Sequence, residues 1–184
     1  MSSPLTAEEG VSLDLGDIVL RPWRDADIPE LCAALADPDI AAWAAQPQPF
    51  GAAEAQAFVD ESRSMWRDGS GAAFAVVSAD SGKLIGAVSR YGPDGHHASI
   101  GCWVVPEARG RGIGTRALKA VADWTMATTA TIRLEAFIIV GNEGSERMAQ
   151  RAGFERDGVL RSFEMVDGKP VDCVAYSRIR PSTA

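Results

Sequence analysis

The segment that decides the fold is VVPEARGRGIGT, which runs from Val104 to Thr115. A strand-like run ends at Pro106, a loop with two arginines and three glycines follows, and a helical pattern then begins. Glycines at this spacing let the backbone turn tightly and leave N–H groups clear of neighbouring side chains. The start of a helix adds unpaired donors and the positive end of its dipole. The segment therefore predicts a cradle for a phosphate or pyrophosphate group.

The elements on either side of this loop form a βαβ unit. Residues 99–105 and 132–138 alternate in character and predict strands, and residues 112–126 carry apolar positions along one face of a predicted helix. Because the connection between the strands contains a helix, we expect the two strands to be parallel and adjacent, or nearly so.

The rest of the chain supplies one further layer of helices and several hairpins. Residues 1–16 read as a loose leader, and residues 17–181 as a single domain. Asn142 is a predicted N-cap for a helix that ends near Gly153. The remaining expected features, in chain order, are a strand at 18–23, a helix to residue 35, breaks at 37–38 and 46–50, a helix at 53–67, strands at 73–78 and 83–90, and a final hairpin of strands 158–166 and 171–180 around Asp167-Gly168.

Composition narrows the functional classes. The 184 residues carry a formal net charge of −7, which argues against nucleic-acid binding and mildly favours a cationic partner. No apolar run approaches the roughly 20 residues that a membrane helix needs, so no membrane partner is expected. The first residues resemble no secretory signal, and three widely spaced cysteines fit reduced thiols, so we expect a cytoplasmic protein. With two histidines, no metal site is expected.

Two other phosphate-binding motifs fit the loop less well. A P-loop needs a lysine at a fixed spacing after its glycines, and this chain has none there. Residues 112–117 do fit the dinucleotide fingerprint G-x-G-x-x-[GA], and Glu135 lies near the distance expected of a ribose-binding acid. However, the preceding strand ends too early, at Pro106, and Glu135 lies within a strand pattern. An oxidoreductase that binds NAD is therefore the less favoured alternative.

The motif [RQ]-x-x-G-x-[GA] is met by residues 109–114, and in this context it resembles the acetyl-CoA loop of the GNAT acyltransferase superfamily. The resemblance implies a mixed α/β (α+β) fold, with a central sheet of six to seven strands flanked by helices and a splayed parallel strand pair. Further segments resemble the ribosomal-protein-alanine N-acetyltransferase branch (RimJ/RimL-like). They are Ile18–Trp23 with Asp27, Asp37-Pro38 with Trp43, Asn142–Ser145 followed by Ala152–Phe154, and Gly158, Leu160-Arg161, Gly168, Asp172 and Tyr176-Ser177.

The resemblance also implies roles for individual residues. Glu164 is expected to be the base that takes a proton from the acceptor amine, although an exposed strand carboxylate explains it equally well. Ser145 is expected to protonate the departing thiolate, and Asn142 to bond the pantetheine amide, while both also suit an ordinary helix start. The expected cofactor-binding residues are Val104 and Val105 through their main chains, Arg109, Gly110, Arg111, Gly112, Ile113, Gly114, Thr115, Asn142 and Ser145.

These residues together predict an acetyl-CoA-dependent N-acetyltransferase that works by direct transfer within a ternary complex. Its acceptor would be a protein N-terminal amine or a small-molecule amine, because neither the fold nor the cofactor loop fixes the acceptor. Trp43, Phe50 and Trp66 are candidates for an apolar acceptor wall, or for the core. A non-catalytic acyl-CoA sensor or partner module is the alternative, and the protein would be a monomer or homodimer.

Overall fold

The computed structural model describes residues 10–44, 50–166 and 168–181. In that part of the chain, eight strands form one sheet in the order β1-β2-β3-β4-β5-β6-β8-β7. The strands are β1 Leu13–Asp14, β2 Ile18–Pro22, β3 Gly71–Ser78, β4 Leu84–Tyr91, β5 His97–Val104, β6 Arg133–Ile139, β7 Glu155–Val166 and β8 Lys169–Ile179. The helices are α1 Ile28–Leu35, α2 Pro38–Ala44, α3 Ala52–Asp68, α4 Ile113–Thr128 and α5 Glu143–Arg151. None of these helices is long and apolar enough to span a membrane.

The parallel pair of β5 and β6 is short. The two strands pair over three positions, from His97 opposite Arg133 to Ser99 opposite Glu135, and within the described residues the pairing stops there. All the other neighbouring strands are antiparallel. The carboxyl halves of β5 and β6 therefore diverge, which confirms the expected splayed pair.

The sheet has one strand more than the six to seven expected. The additional strand is the two-residue β1, in which Leu13 lies opposite Leu20 of β2. It falls inside the segment that was expected to precede the domain, so pairing of the sheet begins before residue 17. Residues 1–9 lie outside the described residues.

Apolar residues cover both faces of the sheet. On one face, α4 buries Ala117 and Val121 in a cluster that includes Phe74, Leu134 and Tyr176. On the other face, a second cluster consists of buried side chains of α1 and α3 packed against residues of β3 and β4. Its members include Leu31, Leu35, Ala55, Val59, Ala73, Ala75 and Ala87. The sheet is thus sandwiched between two helical layers, with α4 and α5 on one side and α1 to α3 on the other.

The predicted break at residues 37–38 is in fact the start of helix α2. The Asp37 carboxylate accepts the N–H groups of Asp39 and Ile40, each at 3.0 Å, and Pro38 occupies the first helical position. Proline is well tolerated there because its missing N–H would have had no partner within the helix. Of the other predicted break, at residues 46–50, residues 46–49 lie outside the described residues, as does residue 167 of the final turn.

A buried ion pair joins β2 to the start of α1. The carboxylate of Asp27, which is only 5% exposed, accepts two bonds from the Arg21 guanidinium, at 2.7 and 2.8 Å, and one from the Arg24 N–H at 2.9 Å. Burial by itself raises the pKa of Asp27, but the bonds from Arg21 and Arg24 outweigh it and hold that pKa below its ordinary value.

We predict that Asp27→Ala lowers the free energy of unfolding by about 3 kcal/mol at neutral pH, because it strands a buried guanidinium. The stabilisation that the carboxylate provides is fully present above its pKa in the unfolded chain, which is about 3.9. It is lost as pH falls through the lower pKa that the carboxylate has in the folded protein. Urea denaturation at pH 7 and below pH 4 measures both effects. Asp60→Ala, which removes an exposed partner of Arg63, is the control and is expected to cost under about 0.5 kcal/mol. Equal losses in the two variants would contradict the prediction.

Candidate active site

A cleft of about 690 Å³ opens where β5 and β6 diverge. Consecutive residues of both strands line it, from Ser99 to Val104 on β5 and from Ala136 to Ile139 on β6. Because successive side chains of a strand point to opposite faces, a cleft lined by consecutive residues extends through the sheet. The gap therefore connects the α4–α5 face of the sheet with the α1–α3 face.

The glycine-rich loop borders the cleft on the α4–α5 face. Gly110 and Gly112 have left-handed φ angles of 74° and 72°, and a Cβ atom added to either would meet no atom within 4 Å. The first helical bond of α4 runs from the Arg116 N–H to the Gly112 carbonyl at 3.0 Å. The N–H groups of residues 113–115 thus have no acceptor within the helix, and they lie at its positive end. This loop has the open backbone and the donors that an anion cradle needs.

Gly114 lets the start of α4 approach its neighbours closely. A Cβ atom at Gly114 would lie 2.6 Å from the Met148 sulfur of α5 and 3.1 Å from Cγ2 of Val104. The absence of a side chain therefore brings the first turn of α4, the end of β5 and α5 together around one mouth of the cleft.

The two valines at the end of β5 differ in what their main chains offer. The Val105 N–H donates to the Ile85 carbonyl at 3.1 Å, and the Val105 carbonyl accepts from Ala108. Adjacent residues of a strand direct their main-chain groups to opposite neighbours, so the Val104 N–H points toward the gap beside β6. Val105 therefore lacks the free donor expected of it and is absent from the cleft lining, whereas Val104 lines the cleft.

The loop arginines also differ. The Arg109 guanidinium donates to the Val104 carbonyl and to the Asp39 carboxylate, both at 3.1 Å, and so joins the loop to β5 and α2. The exposed Arg111 lies outside the cleft lining. Arg109 thus braces the mouth of the cleft.

Helix α5 supplies the second wall of this mouth. The side-chain oxygen of Asn142 accepts the Ser145 N–H at 3.1 Å, which confirms Asn142 as the N-cap and leaves its amide N–H groups as donors. Both residues line the cleft.

The buried Tyr176 hydroxyl of β8 donates to Glu146 at 2.9 Å and accepts from Gln150 at 3.1 Å. Burial and the Glu146 carboxylate raise the pKa of Tyr176, so it stays protonated and fixes α5 on the sheet.

Glu164 lies on the opposite face of the sheet. It is half-buried, lines the cleft and lies opposite Val171 of β8, so it faces the same side as the buried Cys173. Burial, followed by the negative charges of Glu164 and Asp172, raises the pKa of the Cys173 thiol. In a regular strand Phe163 would face away from its neighbour Glu164, but its ring lies 4.6 Å from that of Phe137, a residue that lines the cleft. A bulge in β7 just before Glu164 accounts for the difference.

The three aromatic residues that were candidates for an apolar acceptor wall or for the core are divided between the cleft and the core. Trp43 lines the cleft and is 45% exposed, but Phe50 is buried under α1 and α3, and Trp66 packs against Phe74 and Trp124. Several residues that were not predicted from the sequence also line this face. They occupy alternate positions along each strand, so the alternation of side chains could have identified them. They are Ser89 and Tyr91 of β4, Ser99 and Trp103 of β5, and Phe137 of β6.

Residues 17–155 match the family model described as "Acetyltransferase (GNAT) domain". An uncharacterized N-acetyltransferase of Bacillus subtilis, YoaA, is 22% identical over 92% of this chain and 97% of its own. The ribosomal-protein-S5-alanine acetyltransferase structure from Vibrio fischeri has a TM-score of 0.82 at 22% identity, covering 92% of this chain and 97% of that one. A ribosomal L7/L12 acetyltransferase, RimL, crystallised with coenzyme A, has a TM-score of 0.80 at 20% identity, covering 92% and 98%.

We predict that Gly112→Ala weakens coenzyme A binding at least tenfold, because the new methyl group projects into the open space of the cradle. A left-handed alanine also costs about 1 kcal/mol of stability. Gly82→Ala is the matched control, since Gly82 has a φ of 69° and equally open surroundings in the β3–β4 turn. Calorimetric titration and thermal denaturation of both variants separate the two effects. If Gly82→Ala weakened binding as much as Gly112→Ala, the loop would not be the cradle.

Proposed function

Because the chain belongs to the GNAT acetyltransferase family, it is an acetyl-CoA-dependent acyltransferase, and we propose that it acetylates a primary amine by direct transfer within a ternary complex. The observation that carries the proposal is the cleft through the sheet, which has an anion cradle at one mouth and a carboxylate at the other. We propose a protein N-terminal amine as the first acceptor class, as in the RimL relative, and a small-molecule amine as the second.

The α4–α5 mouth would hold the cofactor. The N–H groups at the start of α4 suit its pyrophosphate, and the amide of Asn142 suits the pantetheine arm. The Val104 N–H points into the gap, where it would bond the thioester oxygen and stabilise the negative charge that develops during attack. The thioester itself supplies an activated acetyl group.

The opposite mouth would take the acceptor. A protonated amine has no free electron pair, so a base must first remove a proton. Two carboxylates on this face line the cleft, those of Asp39 and Glu164, and Asp39 is paired with Arg109 at 3.1 Å. We propose Glu164 as that base, acting directly or through one water molecule. The neutral nitrogen would then form a bond to the acetyl carbon, and the carbon–sulfur bond would break with the sulfur leaving as a thiolate. The nitrogen would lose its second proton to solvent to give the amide.

We propose Ser145 as the donor of a proton to that thiolate, supported by its place in the cleft lining at the start of α5. A thiol has a pKa of about 8.5, so this donor speeds the reaction without being indispensable.

We further propose that the protein works in the cytoplasm, which is consistent with its three free cysteines, and that it acts as a monomer or homodimer.

The function is tested by incubating the protein with acetyl-CoA and a mixed set of small amines and N-terminal peptides. We expect release of free thiol and at least one product whose mass is greater by one acetyl group. Binding of acetyl-CoA without turnover on any acceptor would instead favour the sensor alternative, and preferential binding of NAD would contradict the assignment.

We predict that Glu164→Gln lowers kcat 10- to 100-fold and changes the KM for acetyl-CoA less than twofold, because the glutamine cannot accept the proton. The deficit should narrow above the pKa of the amine, about 8 for an α-amine, where the acceptor is already neutral. Steady-state thiol release from pH 6 to pH 10 measures this change.

Glu155→Gln serves as the control, because Glu155 is an exposed carboxylate of the same strand outside the cleft. It should leave kcat unchanged. A Glu164→Gln enzyme with full activity at pH 7 would remove Glu164 from the mechanism while leaving the cofactor assignment intact.

A further inference from the structure

The β7–β8 hairpin is irregular immediately before Glu164. Leu160 pairs with Cys173 and Glu164 pairs with Val171, so four steps along β7 correspond to two steps along β8. Within this bulge, Ser162 has a φ of 51° and is the single non-glycine residue with a positive φ among the described residues. Serine rarely adopts this conformation, so an interaction outside the residue must hold it.

The bulge determines where Glu164 lies along the strand. In an uninterrupted ladder, Ser162 would lie opposite Val171, and Glu164 would lie opposite Lys169, at the tip of the hairpin. Each strand residue advances about 3.4 Å, so the two extra residues move Glu164 by about 7 Å toward the centre of the sheet. The bulge therefore brings the carboxylate to the cleft rather than leaving it near the hairpin tip.

One side chain holds the strained residue from the neighbouring strand. The Asp172 carboxylate accepts the Ser162 N–H at 2.8 Å, a charge-assisted bond across the hairpin. The Asp172 carbonyl also accepts the Val140 N–H at 2.9 Å, just beyond the end of β6. Asp172 thus connects the bulge to the strand that forms one edge of the cleft.

We propose that Asp172 is a positioning residue for Glu164. By holding the Ser162 N–H it keeps the bulge in β7, and the bulge places the carboxylate of Glu164 in the cleft. Asp172 touches neither substrate nor cofactor in this role. The kinetic part of the inference rests on the proposed role of Glu164, whereas the structural part does not.

The test compares Asp172→Ala with Asp172→Asn, which keeps an oxygen that can accept the Ser162 N–H. Asp14→Ala is the matched control. The carboxylate of Asp14, in the distant strand β1, likewise accepts a backbone N–H, that of Gly16, at 2.9 Å. Crystal structures report the position of Glu164, and thiol release with acetyl-CoA and an N-terminal peptide reports kcat and KM.

For Asp172→Ala we expect Glu164 to slip toward Lys169 and kcat to fall about tenfold, with the KM for acetyl-CoA changing less than twofold. Asp172→Asn should retain at least a third of the wild-type kcat. Adding Ser162→Gly to Asp172→Ala should restore most of the activity, because glycine adopts a positive φ without a tether. In a Glu164→Gln background, Asp172→Ala should have no further effect.

The inference is overturned if Asp172→Ala leaves Glu164 opposite Val171, as the Asp14→Ala control does. It is also overturned if Ser162→Gly gives no rescue. A slip of Glu164 without any loss of kcat would instead contradict the proposed base and leave the positioning role standing.

Discussion

The divergence of β5 from β6 is the constraint on which the rest of the structure depends. After three paired positions the strands part, and the sheet gives up hydrogen bonds that a regular parallel pair would keep. Buried layers on both faces stabilise this arrangement, with α4 packed on one side and α1 and α3 on the other. Because the opening passes through the sheet, groups held on opposite faces can meet at one point without sharing an element.

Each mouth of the opening is built by a different kind of interaction. The proposed cofactor side uses main-chain geometry, in which two left-handed glycines and the start of α4 present N–H groups, and Gly114 lets Met148 come close. The proposed acceptor side uses side chains from strands β4 to β8 and from α2, and its Glu164 carboxylate lies beyond a strained bulge in β7. The cofactor half is thus specified by local sequence, whereas the acceptor half depends on contacts between distant residues.

This difference explains what could be predicted from sequence. The N-cap at Asn142 and the loop before α4 follow from residues within a few positions of each other, and the structure has both. The position of Glu164 depends on a bond between Ser162 and Asp172, which lie ten residues apart on two strands, and no local pattern reports it. Similarly, whether Val104 or Val105 faces the gap depends on the register of β5 against β4. Helix α2 was missed because Pro38 was interpreted as a break instead of a first-turn residue.

We propose that the gap between β5 and β6 joins a cofactor held on the α4–α5 face to an acceptor on the other face. A crystal structure with bound coenzyme A tests it most directly. We expect the pyrophosphate to lie at the N–H groups of residues 110–115 and the thiol to lie in the gap beside Val104. Coenzyme A bound elsewhere, or with its thiol outside the gap, would contradict this arrangement.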